Sequence, residues 1–189
     1  ENIPDEGTIA PASYDFVIGM TKEALITKMQ ERQASILNEA WNARQPNLPI
    51  NTKQEALILA SIIEKETSLK TERGKVSSVF VNRLLREIAL QTDASVVYGI
   101  TRGKKVLGRG LRRSELKKDT PWNTYVNKGL PPSPIGNPGK ASIYAALNPD
   151  ITNYLYFVAD GSGGHAFAEN LREHNINVAK WRKIEKTDN

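Results

Sequence analysis

The chain has 189 residues, 26 Lys and Arg against 21 Asp and Glu for a net charge of +5, and no cysteine. At 39% hydrophobic and 25% charged it has the make-up of a folded domain rather than a disordered tail, and its length buries on the order of 70% of the unfolded surface. Without Cys there is no disulfide framework, catalytic thiol or thiolate-held zinc or iron–sulfur site; His165 and His174 alone leave little for a His-rich metal site, and no apolar run approaches the ~18–20 residues that span a bilayer.

The chain opens on Glu1 with no basic-then-apolar leader, as expected of a mature or trimmed fragment. Residues 1–19 contain Pro4, Gly7 and Pro11 and read as turns and short extended pieces, the last of them YDFVIG before Gly19. Thr21 is a suitable N-cap for a helix that carries Leu25, Ile26, Met29, Ile36, Leu37 and Trp41 at a spacing near 3.6 and ends before Pro46 and Pro49. Thr52 opens a second helix, KQEALILASIIEKETS. A third, from about residue 72 to 88, places Val76, Val79, Phe80, Leu84 and Ile88 on one face.

LQTDASVVYG follows, and after it a basic stretch over residues 101–118 with eight cations and one anion, Glu115. That stretch is net +7, so the rest of the chain is −2. Such a run either contacts a polyanion or is a solvated, Gly-punctuated hairpin or loop. It has no stacking aromatics and resembles no nucleic-acid module, so no nucleic-acid partner is expected. Residues 119–140 are dense in Pro and Gly, a short helix is predicted over 140–147, NYLYFVAD and HAFAE read as strands around a DGSGG turn, and a last amphipathic helix covers roughly 171–184. Helices in the middle and strands toward the ends predict an α+β fold.

One acid stands where an amphipathic helix should not place it. Winding the second helix at about 100° per residue from Leu57 centres Ile58, Leu59, Ile62 and Ile63 near ~170° and puts Glu66 near ~180°, inside the apolar face. Glu64 falls near ~340° and Ser61 near ~40°, on the opposite side. A carboxyl among aliphatic side chains is costly to ionise, which raises its pKa and suits a general acid. Two other readings stay open: the helix ends near Lys65 and Glu66 points to solvent, or Glu66 pairs with Arg83 or Arg86.

Other polar clusters are less specific. Asp93 in Gln91-Thr92-Asp93 is either a helix N-cap or part of a hydrogen-bonding platform. Asn123-Thr124-Tyr125 lies beside a stiff GLPPSPI loop that could wall a cleft. The stretch 160–165 lacks a phosphate-loop pattern and reads as a hairpin turn. His165 is either a site residue or a structural one, and His174 is expected at the surface or as a cap. No GxSxG, DxDxDG, HExxH, repeat or low-complexity segment occurs.

Four ordered blocks carry a resemblance: ALILASIIEKETSLKTERGKVSSVFVNRL, LQTDASVVYG, DTPWNTYVNKGLPPSPIGNPG and YLYFVADGSGGHAF. Together, from Glu6-Gly7 to about Asn175, they resemble the YceG-like (MltG) endolytic murein transglycosylases of bacteria. The resemblance implies a lysozyme-like helical catalytic core with short strands or a hairpin at its ends. It also implies cleavage of MurNAc–GlcNAc bonds within peptidoglycan strands, leaving 1,6-anhydroMurNAc ends and limiting nascent strand length. Residues 1–50 are expected to lead into a catalytic core at 51–189. Such proteins carry an N-terminal membrane anchor and a LysM-like subdomain, neither of which precedes Glu1, so the chain looks like an excised, monomeric catalytic domain from the extracytoplasmic (periplasmic) side of the inner membrane.

The catalytic acid implied by the IxEKE block is Glu66, which precedes Thr67 as the acid of lysozyme-like transglycosylases precedes Ser or Thr. Gln91, Thr92, Asp93, Asn123 and Tyr125 are expected to orient sugars and Tyr98 to stack on one. No metal or organic cofactor is required. Peptidoglycan strands and peptidoglycan synthases are the expected partners. QTDAS stands in place of the more usual QTDPT, and the basic stretch has little family pattern. The competing readings are a hydrolytic muramidase with Asp93 or Asp160 as second carboxylate, a non-catalytic peptidoglycan- or polyanion-binding module, and a pyridoxal-phosphate lyase, for which no Schiff-base lysine in a phosphate-binding context is evident.

Overall fold

Cap chemistry sets where the first helices begin. The Thr21 side chain accepts from the Ala24 N–H to start α1 (Lys22–Asn42). Thr52 and Glu55 form a reciprocal capping box at the start of α2 (Lys53–Glu66), each side chain satisfying the other's backbone N–H. Over residues 3–187, which the computed structural model describes, these are followed by α3 (Arg73–Leu85), α4 (Asp93–Thr101), the one-turn α5 (Arg113–Leu116), α6 (Lys140–Leu147), β1 (Tyr156–Ala159), β2 (His165–Ala168) and α7 (Leu171–Thr187). The two strands pair antiparallel, with Phe157 opposite Phe167 and Ala159 opposite His165. The fold is α+β, as predicted.

α2 is the axis of the molecule. Every residue from Ala56 to Ile63 is buried, and α1, α3, α4 and α6 pack around it. Phe80 and Val76 of α3, Ile143 and Leu147 of α6, and Leu37 and Ala40 of α1 complete one core around Leu59, Ile62 and Ile63. Polar ties lock the first segment onto this core. Asn137 Oδ1 accepts from the Gly7 and Ile9 N–H groups, and the buried Gln33 amide donates to the carbonyls of Gly7 and Pro138. Gly74 is closely approached by Asp150: a Cβ there would lie 2.1 Å from Oδ1, so the exposed Asp150 side chain would have to move.

Two expectations need correction, and one open alternative is settled. The N-terminal end supplies no strand: Phe16, Val17 and Ile18 stand exposed, and among the described residues strands occur only as the hairpin before α7. The basic stretch 101–118 takes the loop alternative and not the hairpin one. It begins in the last turn of α4 and contains α5, where the Glu115 carboxylate accepts from both Arg109 and the Arg112 N–H. The Ser61–Glu64 side of α2 is not a solvent face either, because the Pro-rich loop and α6 cover it. Ser61 Oγ accepts from the Ile135 N–H at 3.0 Å, and Glu64 Oε2 accepts from the Gly139 N–H at 3.1 Å and the Ser142 hydroxyl at 2.5 Å.

Candidate active site

α2 ends at Glu66, with Thr67 as C-cap in extended backbone. The end falls where the helix leaves the core and meets a cavity of about 550 Å³ bounded by α3, the loop into α4, β1 and α7. Phe80, Leu90 and Phe157 supply its apolar lining. Glu66 is held in that wall, half-buried, and its Oε1 accepts a hydrogen bond from the Thr92 hydroxyl. Burial pushes the carboxyl up from its ordinary value; the Thr92 hydrogen bond pulls it back, the neighbouring Asp93 raises it, and His165 lowers it, with burial dominant. The negative end of the α2 dipole acts in the same direction as burial. The solvent-pointing and Arg-paired alternatives for Glu66 are both absent: Glu66 lines the cavity, and Arg83 is engaged elsewhere.

Thr92 is buried and fixed from several sides. Its N–H donates to Thr124 Oγ1 at 3.1 Å, and the Ser95 hydroxyl lies 2.8 Å from the same Thr124 oxygen while donating to the Thr92 carbonyl. Gln91 precedes it at φ 54°, a left-handed conformation that a non-glycine residue adopts only when held there. The holding groups are visible. The Gln91 N–H donates to the Thr124 carbonyl, and Arg83 Nη1 donates to the carbonyls of Ala89 and Leu90 and to Gln91 Oε1. Arg83 Nε also donates to the Leu155 carbonyl at 2.7 Å, joining this loop to the approach to β1.

Asp93 is the first residue of α4, and Thr92, not Asp93, occupies the N-cap position. The Asp93 carboxylate accepts from the Tyr125 hydroxyl at 2.6 Å. Burial first, then the Asp93 hydrogen bond, pushes that phenol far up, so it stays a donor. Glu66, Gln91, Thr92, Asp93 and Tyr125 therefore converge on one cavity.

Two predicted binding residues do not join them. Asn123 is fully buried; its amide donates to the carbonyls of Glu115, Leu116 and Lys118, and its Oδ1 accepts from the Tyr125 N–H. It is a scaffold that sets Tyr125, since no part of it reaches the cavity. Tyr98 lies along α4 against Trp122, ring centroids 5.9 Å apart, and lines a different cavity. Asp160 is also elsewhere, at the hairpin tip, where its Oδ1 accepts from the Ser162 N–H and hydroxyl.

The histidines differ: His165 takes its structural alternative, and His174 departs from expectation. His165 Nδ1 sits 2.7 Å from Glu72 Oε2, and its N–H donates to the other oxygen of Glu72. A Cβ on Gly164 would fall 2.8 Å from the Glu72 carboxylate, which accounts for glycine there. His174 is no surface or capping residue. It lines the far end of the Glu66 cavity, stacked on Tyr156 at 5.0 Å, and burial and then the Arg83 charge push its imidazole down toward the neutral form. Sequence reasoning missed His174, Tyr156 and the cavity role of Arg83. The available signals were Leu171, His174 and Val178 at helical spacing, and a cation one turn beyond Val79 and Phe80 on an otherwise apolar face.

Among the described residues no three His, Asp or Glu side chains gather to hold a metal ion, and no helix is long and apolar enough to cross a membrane. Chemically, the cavity offers one half-buried carboxyl shifted toward its neutral form, one hydroxyl to receive its charge when it ionises, and a hydrogen-bonding rim. That equipment suits proton donation followed by proton acceptance on a polar, uncharged substrate.

Comparison with known proteins agrees with this picture. A family model described as the YceG-like family matches residues 1–180. A Bacillus subtilis protein named endolytic murein transglycosylase is 39% identical over 179 residues, which cover 94% of this chain and 48% of that protein. A Streptococcus pneumoniae serotype 2 protein of the same name is 34% identical over 182 residues, covering 93% of this chain and 32% of that one. The crystal structure of a yceG-like protein from Listeria monocytogenes superposes with a TM-score of 0.75 at 34% identity, over 90% of this chain and 54% of that chain. The chain spans about half the length of the Bacillus relative and a third of the Streptococcus one.

Proposed function

The chain belongs to the YceG-like family, and from that premise we propose that it is an endolytic peptidoglycan lytic transglycosylase with Glu66 as its one acid and base. The observation that carries the proposal is the Glu66 carboxyl: half-buried at the end of α2, raised in pKa, and facing a cavity while one hydroxyl donates to it.

The steps balance without water. Glu66 gives its proton to the bridging oxygen as the bond from C1 of MurNAc breaks, so the departing GlcNAc leaves with a free 4-hydroxyl. The Glu66 carboxylate, receiving the Thr92 hydroxyl hydrogen bond, then takes the proton of the MurNAc C6 hydroxyl. That oxygen closes on C1 to give the 1,6-anhydro ring, and Glu66 is again protonated for the next cleavage. Hydrolysis by inversion or retention would instead need a second carboxylate to activate water or attack the sugar. Gln91, Asp93 and Tyr125 would orient the sugars at the rim, while Asn123 acts through Tyr125 rather than on the glycan. Action on peptidoglycan places the working site outside the cytoplasm; membrane attachment, a limit on strand length and association with peptidoglycan synthases are extensions of the same proposal.

The deciding experiment digests purified glycan strands with wild type and Glu66→Gln and weighs the products. Fragments lighter by one water than hydrolytic ones, made by wild type and absent with Glu66→Gln, are expected. Hydrated reducing ends would favour the muramidase reading through Asp93, and unchanged strands with wild type would leave only a binding module.

A further inference from the structure

The eight cations of the basic stretch divide: Arg112, Arg113, Lys117 and Lys118 are exposed, and the other four have distinct surroundings. Arg102 is committed to the face of Trp122, its guanidinium carbon 3.5 Å from the ring centroid, and Arg109 to Glu115 at 2.6 Å. Lys104 and Lys105 turn instead into a second cavity, of about 520 Å³, on the other side of α4. There they meet Lys65, which comes from α2 and lies against Gly136. Among the described residues none of these three ammonium groups has an ion-pair partner. The Glu6 carboxylate reaches Gly103 at the edge of this cavity, while three lysines and no acid line it, so the lining itself is positive. Its lining between the lysines is apolar, with Val97, Ile135 and the exposed Val106, and Tyr98 adds a ring.

Position links this cavity to the first one. Lys65 and Glu66 are consecutive, so their Cα atoms are ~3.8 Å apart, and they face different cavities. Asp93 and Ala94 are divided in the same way at the start of α4. A ligand of alternating carboxylates and small apolar side chains, attached to whatever is held at Glu66, would cross that boundary within one or two residues of extended chain at ~3.3–3.6 Å each.

We propose that the Lys65–Lys104–Lys105 cavity holds the carboxylate-bearing stem peptide of the glycan strand whose glycosidic bond lies at Glu66. The inference rests on the transglycosylase reading and adds to it the part of the substrate that sets register along the strand. Peptide carboxylates are favoured over the phosphates of a separate wall polymer because the cavity adjoins the glycan site and its lining is half apolar. The lysines pair with the peptide, and the apolar floor receives its small side chains.

The test measures binding with the Glu66→Gln protein, so that cleavage does not interfere. Its affinity is compared for strands bearing stem peptides and for strands stripped of them by an amidase. Peptide-bearing strands should bind about tenfold more tightly at low salt, with the difference shrinking as salt rises. Lys104→Ala/Lys105→Ala on the same background should bring the ratio close to one; both side chains are exposed, so circular dichroism should be unchanged. Equal affinities before the lysines are removed would overturn the proposal. So would a loss that falls equally on both kinds of strand, or displacement by a glycerol-phosphate polymer where the free stem peptide fails to compete. Failure of wild type to cleave either strand strikes the transglycosylase reading instead, and the affinity ratio is still readable in that case.

Discussion

Glu64 and Glu66 stand two residues apart in the last turn of α2 and meet opposite surroundings. On the α6 side, Glu64 Oε2 receives the Gly139 N–H and the Ser142 hydroxyl, two donors at the start of a neighbouring helix. On the cavity side, Glu66 receives one hydroxyl and faces apolar side chains and Asp93. A carboxylate that receives two donors at the start of a neighbouring helix is tied into the architecture. One short of donors, at the end of its own helix, is poised to carry a proton. The same residue type thus divides into a structural and a chemical role by what the other elements bring to each side of one helical turn.

The sharpest break of this contrast is Glu66→Gln. Loss of an acid that also serves as base should lower cleavage by about 10²–10⁴-fold, with the helical circular dichroism intact, measured by release of anhydro-ended fragments. Next in size is Thr92→Val, which removes the only side-chain donor to Glu66 among the described residues. That donor favours the ionised form, so its loss raises the Glu66 pKa further and the alkaline limb of the pH–rate profile moves to higher pH. Maximal rate should fall by about tenfold, the effect of ~1.4 kcal/mol on the step that leaves Glu66 charged. An alkaline limb that moves down in pH, or not at all, would show that Thr92 does not act through Glu66.

How much of this was legible from the chain depended on the range of the interactions. Helix positions and Glu66 on the apolar face are set by periods and caps within a few residues, and α1, α2, α6 and both hairpin strands fall close to where their patterns put them. The covering of the Ser61–Glu64 side was not legible, because it depends on Ile135, Gly139 and Ser142, more than 70 residues away. Gln91 in its left-handed turn, held by Arg83 and Thr124, is another product of distant partners. Asn123 and Tyr98 sit in well-patterned blocks, yet their side chains turn away from the Glu66 cavity, since a block places a backbone segment and not the direction of each side chain.

The α6 side of the comparison predicts a different kind of loss. Glu64→Ala strips the acceptor from the Gly139 N–H and the Ser142 hydroxyl, and Arg73 Nε, which donates to that same Ser142 oxygen at 3.2 Å, loses a fixed partner. A missing helix-start acceptor costs about 1–2 kcal/mol, or a fall of about 2–4 °C in Tm for each kcal/mol in a domain of this size. Cleavage measured at a temperature where the variant is folded should stay close to wild type. A loss of activity exceeding the loss of folded protein would mean that Glu64 reaches the chemistry, and the division between the two carboxylates would fail.

The smallest effect tests the energetic basis of that division. Because burial raises the Glu66 carboxyl in the folded chain relative to the unfolded one, its contribution to stability is fully present below the unfolded value and is lost as pH rises through the folded value. Glutamine has the same shape and does not ionise. Wild type and Glu66→Gln should therefore melt together at acid pH, and the variant should become the more stable protein as pH passes the raised value. The gap expected at pH 8 is about 2–4 °C for each kcal/mol of ionisation cost relieved. The Glu64→Gln substitution should lower stability instead, since it weakens two hydrogen bonds. If Glu66→Gln is instead the less stable protein at pH 8, the ionised carboxylate is well accommodated where it stands, and the scarcity of donors around it is not what prepares it to hold a proton.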